Sequence, residues 1–340
     1  TIFIHDQVGF SDHMTGVSVS VFTGLVTLFM LGGGFVSDKL GVRKALSLVL
    51  FMLVIGRGML ALSPTFGSAA VAGLWSALII MAIAEGIIQP ALYAGVKEFT
   101  DPRTATIGYS LLYSIMNLGI FAETFLSPFL RERYQISGVY LIITAITGLL
   151  LVINFFFFTR KIEKKNRVVT VEKLPPELDV RTMWEKIRSM PFLDMRFIFF
   201  IFILLPVRTL FAHQWLTLPH YIQRCFSEAV FARYEWFQAI NPLIIVVFVP
   251  LFAALTRKVS VLKMMIIGTA VSAMTTFILV PGPHLATLII YVVFFSLGEA
   301  LWSSRFLEYV ANIAPAGRVG AYMGIAGIPW FFAKFTTGFY

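Results

Sequence analysis

Cysteine is almost absent. Cys225 is the only one in 340 residues, which excludes a disulfide framework within the chain and any multi-cysteine metal site. Charge is scarce too: Asp, Glu, Lys and Arg make up 13% of the sequence, where a soluble globule carries about a quarter. His213 and His220 sit in the segment Ala212-His-Gln-Trp-Leu-Thr-Leu-Pro-His and read as interfacial histidines. Cys225 reads as an inert loop thiol. No catalytic dyad, phosphate-binding glycine loop or zinc spacing occurs, so nothing points to an enzyme, a cofactor or a metal.

What the sequence does have is apolar length. It is 58% hydrophobic, with 34 Phe and 11 Tyr against 18 acids. Stretches of about 20 apolar residues, the length that crosses the hydrocarbon core as helix, recur along it. They fall near 18–37, 45–63, 71–95, 107–130, 138–158, 192–213, 236–256, 261–281, 285–306 and 318–340. Lipid cannot satisfy free backbone groups, and the alternation expected of a membrane barrel is missing, so the spans are helical. The fold class is an all-α, multi-pass membrane protein, in a plasma or inner membrane. The chain starts at Thr1 rather than Met and ends inside an apolar run at Phe339-Tyr340. One further span is therefore expected beyond each terminus.

Charge orients the spans. The loops 38–44, 96–106, 159–191, 257–260 with Lys263, and 305–318 hold nineteen Lys and Arg, and the opposite set holds only Arg131, Arg133, Arg224 and Arg233. The positive-inside rule assigns the first set to the cytoplasmic side. The net charge of +9 belongs to these loops and gives no support to nucleic-acid binding. The segment 159–191 opens with Arg160, Lys161, Lys164, Lys165 and Arg167 and passes through Pro175-Pro176. Val180, Met183, Trp184 and Ile187 then recur at helical spacing opposite Glu185, Lys186 and Arg188, which predicts a short helix on the membrane surface.

An internal repeat supports a division at that linker. Ala82-Ile-Ala-Glu85-Gly and Ser296-Leu-Gly-Glu299-Ala are offset by 299 − 85 = 214 positions. The expected organisation is an N-terminal bundle at 1–158, a linker at 159–191 and a C-terminal bundle at 192–340. Two homologous bundles about a midplane site describe a transporter.

The first two spans are joined by Gly34-Phe-Val-Ser-Asp38-Lys39-Leu-Gly41-Val-Arg43-Lys44. Gly34 allows close helix approach, Gly41 a tight turn, and Asp38 can accept hydrogen bonds or meet a base. This loop resembles the signature between helices 2 and 3 of the major facilitator superfamily, in spacing, residue types and position. The resemblance implies a twelve-helix fold of two six-helix bundles, with 18–37 as the second helix, and a cytoplasmic gate at Gly34, Asp38, Lys39, Gly41, Arg43 and Lys44. Within that superfamily, Tyr113-Ser-Ile-Met-Asn117-Leu-Gly119 is similar to a segment of the proton-coupled oligopeptide transporters. Gly298-Glu299 and Ala314-Pro315 are similar to that family's tenth helix and the loop beyond. Gln89-Pro90 departs from its usual Lys-before-Pro.

Charges inside spans are the candidate site, because each costs at least ~2.5 kcal/mol at the centre of a spanning helix unless paired or hydrated. Glu85 and Glu299 count to matching depths near the midplane and are candidates for proton binding or substrate contact, against a plain hydrogen-bonding role. Arg57 and Glu123 share a depth, as expected of an ion pair. Arg208, after Pro206, and Lys334 count to the outer parts of their spans and are candidate anchors for an anionic substrate group, with Asn117 as a further polar contact. The expected function is a secondary transporter moving a small solute by alternating access with proton coupling. The alternative is a non-transporting subunit that keeps the fold and associates with a larger membrane complex.

Overall fold

The computed structural model describes residues 3–4, 8–101, 103–168, 191–315 and 317–337. The expected amphipathic helix at 180–188 lies outside the described residues, as does the Lys334 side chain.

Among the described residues the regular structure is helical. The α-helices are α1 (Asp12–Leu40), α2 (Val42–Leu62), α3 (Ala70–Phe99), α4 (Ala105–Phe157), α5 (Arg160–Asn166), α6 (Met195–Ile203), α7 (Leu205–Leu216), α8 (Leu218–Cys225), α9 (Glu228–Phe231), α10 (Tyr234–Leu255), α11 (Val261–Thr275), α12 (Leu285–Ile313), α13 (Val319–Ile325) and α14 (Ile328–Thr337). Several carry large apolar side chains facing outward, such as Ile115, Leu255, Ile266 and Met274. In water such a surface would drive aggregation; against acyl chains it is the ordinary exterior.

Among the described residues, eight helical segments are long and apolar enough to cross a membrane, where ten were expected along the whole sequence. One of the eight, Val42–Phe99, is 58 residues long and holds both expected spans 45–63 and 71–95, which meet in a 3₁₀ turn at Ser63–Ala69 with Gly67 at φ 56°. The tenth expected span, 318–340, is no single crossing helix among the described residues. Its apolar run is Val319–Ala333, and it divides between α13 and α14. The spans 107–130 and 138–158 merge into α4, whose helical geometry breaks at Gln135 (φ 58°, ψ 175°).

By contact the chain forms two compact units, and these cut across the halves expected from the linker. The first unit comprises 1–99, 128–198 and 314–331; the second comprises 100–127, 199–313 and 332–340. The physical reason is that the tightest helix crossings join segments distant in sequence.

In the first unit, α1 crosses α3 at Gly33 and Gly86 and crosses α13 at Gly34 and Gly320. A methyl on Gly33 would sit 2.9 Å from the Ile87 Cα, and one on Gly34 would sit 2.7 Å from the Ala321 Cα. Between helices in lipid, such small residues let backbones approach and gather dispersion contacts that the hydrophobic effect cannot supply. One residue, Gly41, separates α1 from α2. Its φ of 77° with ψ of 158° suits glycine and not a residue with a Cβ. Ala45, Val49, Leu53, Ala84, Ile87 and Ala91 pack the α2–α3 seam.

In the second unit, α11 crosses α12 at Gly268 and Gly298. A Cβ on Gly298 would stand 2.6 Å from the Ser272 backbone nitrogen. The opposite side of α12 presents Ala300 to Ile245 and Val249 of α10, with Tyr113 of α4 packed against that cluster.

Candidate functional site

Glu299 follows Gly298, so the close α11–α12 crossing turns its carboxylate toward α4 and α10. It is 7% exposed. Its Oε1 accepts a hydrogen bond from the Tyr113 hydroxyl at 2.6 Å, and its Oε2 accepts one from Asn241 Nδ2 at 2.8 Å. Asn241 Nδ2 also donates to Ser296 Oγ at 3.0 Å, while the Ser296 hydroxyl donates to the Val292 carbonyl at 2.6 Å. Pro242 follows within α10 and lacks an N–H, which removes one rung of the helix ladder beside the site. The Tyr113 hydroxyl also reaches Ser303. A buried carboxylate costs several kcal/mol unless its lone pairs are met; here two neutral donors meet them and a cation stands nearby.

That cation is Arg208 of α7, an electrostatic neighbour of both Glu299 and Tyr113. Its guanidinium lies 5.2 Å from the Trp302 ring centroid and 4.5 Å from that of Phe306, within cation–π range. Depth counting set Arg208 outward of Glu299. It stands instead beside Trp302 and Phe306, toward the Ile313 end of α12 that carries the basic loop. A long side chain on a helix leans toward the helix N-terminus, which in α7 is the end nearer the basic linker.

Asn117 is buried one turn along α4 from Tyr113 and donates to the Tyr113 carbonyl at 2.9 Å. Its amide is therefore spent on its own helix at this position. Glu123 is exposed, with Glu235 as its electrostatic neighbour. Arg57, its expected partner, belongs to the first unit. There Arg57 Nη1 donates to Thr147 Oγ1 at 2.7 Å and faces the charge of Glu85. Each unit thus holds one glutamate of the repeat and one arginine: Glu85 with Arg57, Glu299 with Arg208.

Sequence reasoning missed a second buried cluster. Arg305 is 2% exposed and Glu308 7%. Arg305 Nη1 donates to Glu308 Oε2 at 2.9 Å and to Thr106 Oγ1 at 3.1 Å, and Nη2 donates to the Thr256 carbonyl and hydroxyl at 2.9 and 3.0 Å. The Thr106 hydroxyl donates to Glu308 Oε1 at 2.7 Å. This ties the start of α4 and the end of α10 to the last turns of α12. The signal was an Arg-x-x-Glu at i,i+3, assigned to a loop because α12 was expected to end at 306. Asn241 was missed as well; a lone amide before proline inside the 236–256 span was the available clue.

The signature loop belongs to the first unit. Asp38 Oδ1 accepts from the Gly320 N–H at 2.8 Å and Oδ2 from the Ala321 N–H at 2.9 Å, so the carboxylate meets the free donors that open α13. The glycine at 320 is required by the same contact: a Cβ there would fall 2.7 Å from Asp38 Oδ1. From the other side of α13, the Tyr322 hydroxyl donates to Asp194 Oδ2 at 2.9 Å. Arg43 faces Glu163 of α5 at 3.4 Å, Glu163 also meets Arg167 at 3.4 Å, and Arg167 binds Glu98 at 2.7 Å. Lys39 and Lys44 are exposed. Lys334 lies in α14.

Among known proteins, the family described as Major Facilitator Superfamily matches residues 1–337. An uncharacterized MFS-type transporter, YqjV, of Bacillus subtilis is 20% identical over 336 residues, which span 96% of this chain and 76% of that protein. Dipeptide and tripeptide permease B of Xenorhabdus bovienii is 30% identical over 143 residues, covering 41% of this chain but 28% of the permease. Among solved structures, the E. coli fucose:proton symporter FucP superposes with a TM-score of 0.74 at 13% identity, over 96% of this chain and 84% of that one. A POT peptide transporter in complex with sulfate gives 0.63 at 19% identity, over 98% and 81%. At these identities the structural likeness concerns the fold.

Proposed function

Because the chain belongs to the Major Facilitator Superfamily, whose members are multi-pass membrane transporters and not enzymes, we propose that it is a proton-coupled secondary transporter with Glu299 as the proton-carrying group. The observation that carries the reading is the hydrogen-bonding of that carboxylate. Ionised, Glu299 accepts from Tyr113 and Asn241. Protonated, it needs an acceptor for its O–H, and the Tyr113 hydroxyl oxygen supplies one by turning its own proton away from the carboxyl, with Ser303 beside it. Both protonation states keep satisfied partners, which a group that loads and releases a proton in a dry interior requires.

Arg208 is the anchor for an anionic substrate group. Its guanidinium lies over the Trp302 and Phe306 rings, and a guanidinium presents its donors to a carboxylate as a fork. Small carboxylate-bearing solutes are therefore the substrate class, with dipeptides and tripeptides, the compounds named for the permease relatives, as the first to assay. Glu85, Arg57, Glu123, Lys334 and Asn117 are the secondary polar positions. In this scheme the bundles 1–158 and 192–340 rock about the linker 159–191. Asp38 holds the N-terminus of α13 while the cytoplasmic gate of Gly34, Lys39, Gly41, Arg43 and Lys44 is shut.

The test is uptake into proteoliposomes with and without an imposed pH gradient. Glu299→Gln keeps volume and hydrogen bonds but cannot release a proton, so gradient-driven accumulation should vanish while substrate binding persists. Glu85→Gln is the comparison at the repeat-related position. Full gradient-driven accumulation by Glu299→Gln removes the proton role.

A further inference from the structure

The candidate span Glu132–Phe157 ends in three strongly exposed aromatics: Phe155, Phe156 and Phe157 are 70%, 67% and 71% exposed. The next helix, α5, begins at Arg160. Three residues reach at most about 10 Å, and the polar headgroup layer beyond the hydrocarbon is about 5–7 Å deep on each side. The first turn of α5 therefore sits at headgroup depth or just above it, within one Debye length of the lipid charge.

The helix has two unlike faces. Glu163 points back into the protein, where it meets Arg43 and Arg167, and Arg167 continues to Glu98. The Val168 N–H donates to the Glu98 carbonyl at 3.0 Å, which pins the end of the segment. At about 100° per residue, Lys161 and Lys165 fall opposite Glu163, Lys164 falls about a quarter-turn from it, and Arg160 about 60° from it on that same side, so the four bases share one continuous arc that excludes Glu163. All four basic side chains are exposed. Thr159 caps the helix through its hydroxyl oxygen, which accepts from the Ile162 N–H at 3.4 Å. Glu163 is thus tied to the protein by ion pairs, and the remaining arc carries four exposed bases with no acid among them.

We propose that the outer face of α5, formed by Arg160, Lys161, Lys164 and Lys165, docks on the anionic phospholipid headgroups of the bilayer that holds the protein. Charge complementarity and continuity with the Phe155–Phe157 collar select this occupant: the aromatics sit in acyl chains, and the bases three residues on meet phosphates. Clusters of four or more bases beside a spanning helix are the pattern that recognises acidic lipid. Because Glu163 leaves outside that arc, a lipid-held α5 also steadies the Arg43–Glu163–Arg167–Glu98 chain next to the signature loop. Anionic lipid then acts on the gate through α5.

Full-length protein is incorporated into nanodiscs of equal parts phosphatidylglycerol and phosphatidylcholine, and the lipids retained on release are counted by native mass spectrometry. Wild type should keep phosphatidylglycerol preferentially. Each base near an anionic surface is worth about fivefold in affinity, so changing all four residues to Gln should cut the preference at least about tenfold, with melting in pure phosphatidylcholine unchanged. The Lys164→Gln, Lys165→Gln double variant leaves the cap and the inner face intact and serves if the fourfold variant does not fold. Hydrogen exchange over 160–168 should be slower in phosphatidylglycerol than in phosphatidylcholine for wild type only. An unchanged lipid preference in the variants overturns the proposal. Equal displacement by soluble glycerophosphate also overturns it, since that would make α5 a site for free anions and not for a bilayer.

Discussion

Gly32 and Gly34 stand on the same helix two residues apart, yet replacing each with alanine should move stability in opposite directions. A Cβ on Gly32 would meet nothing within 4 Å. Alanine there gains helix propensity, up to about 1 kcal/mol. A Cβ on Gly34 would lie 2.6 Å from the Gly320 carbonyl carbon and 2.7 Å from the Ala321 Cα, and closer still to the Gly320 carbonyl oxygen. Ordinary carbon contacts are about 3.5–4.0 Å, and every clashing atom is backbone, so no rotamer change relieves it. Overpacking costs about 1–3 kcal/mol, and the upper end applies. The alternative is for α1 and α13 to part. That forfeits the two hydrogen bonds from Gly320 and Ala321 to Asp38, worth about 1.5–3 kcal/mol each when the acceptor is charged. Partial rehydration returns some of this, so Gly34→Ala should lose about 2–4 kcal/mol while Gly32→Ala gains. Reversible unfolding in mixed micelles with rising dodecyl sulfate reads both. Asp38→Asn adds a cycle: if Gly34→Ala has already opened the crossing, the second change should cost little, leaving a coupling of about 1–2 kcal/mol. Equal stability of the two alanine variants, or full additivity with Asp38→Asn, would refute the crossing as the support of the Asp38 contact.

The buried Arg305–Glu308 pair should show the asymmetry of desolvated ions. Glu308→Leu leaves Arg305 stranded and should cost about 3–5 kcal/mol, whereas Arg305→Met with Glu308→Leu should recover much of that loss; a double variant as unstable as the single would contradict the account. At the start of α4, hydrogen bonds from the Thr104 hydroxyl, and then from the Thr104 and Arg103 amides, hold the Asp101 carboxyl below its usual range. A folded pKa below the unfolded one contributes stability at neutral pH that is lost as pH falls through the folded value. The gap between wild type and Asp101→Ala should be full at pH 7 and shrink below about pH 4, as read by thermal unfolding in detergent; a gap that widens in acid reverses the sign and refutes the cap.

Membrane residence, the helical class and the position of nearly every span were legible in the sequence, because lipid permits so few ways to satisfy a backbone that apolar length alone reports a crossing helix. The signature loop was legible for a related reason. Gly34 and Gly41 answer local demands, one a close approach and the other a positive φ, and such demands leave a residue type at a fixed spacing. Glu299 stood out because an acid inside a span is expensive wherever it points. What it points at was not legible. Tyr113 and Asn241 reach it from positions 186 and 58 residues away, and no periodicity along one helix encodes which face a second and third helix will turn toward it. Depth counting placed the Arg208 backbone and not its guanidinium, which lies over Trp302 and Phe306 of another helix, a partner no count along α7 encodes. Arg305 and Glu308 looked like loop charges until Thr106 and Thr256 enclosed them. The grouping by contact, 100–127 with 199–313 and 314–331 with 1–99, was likewise decided by packing. Hydropathy reports the solvent each residue wants and is blind to partners; those are chosen where glycines let two backbones meet, which only the tertiary structure displays.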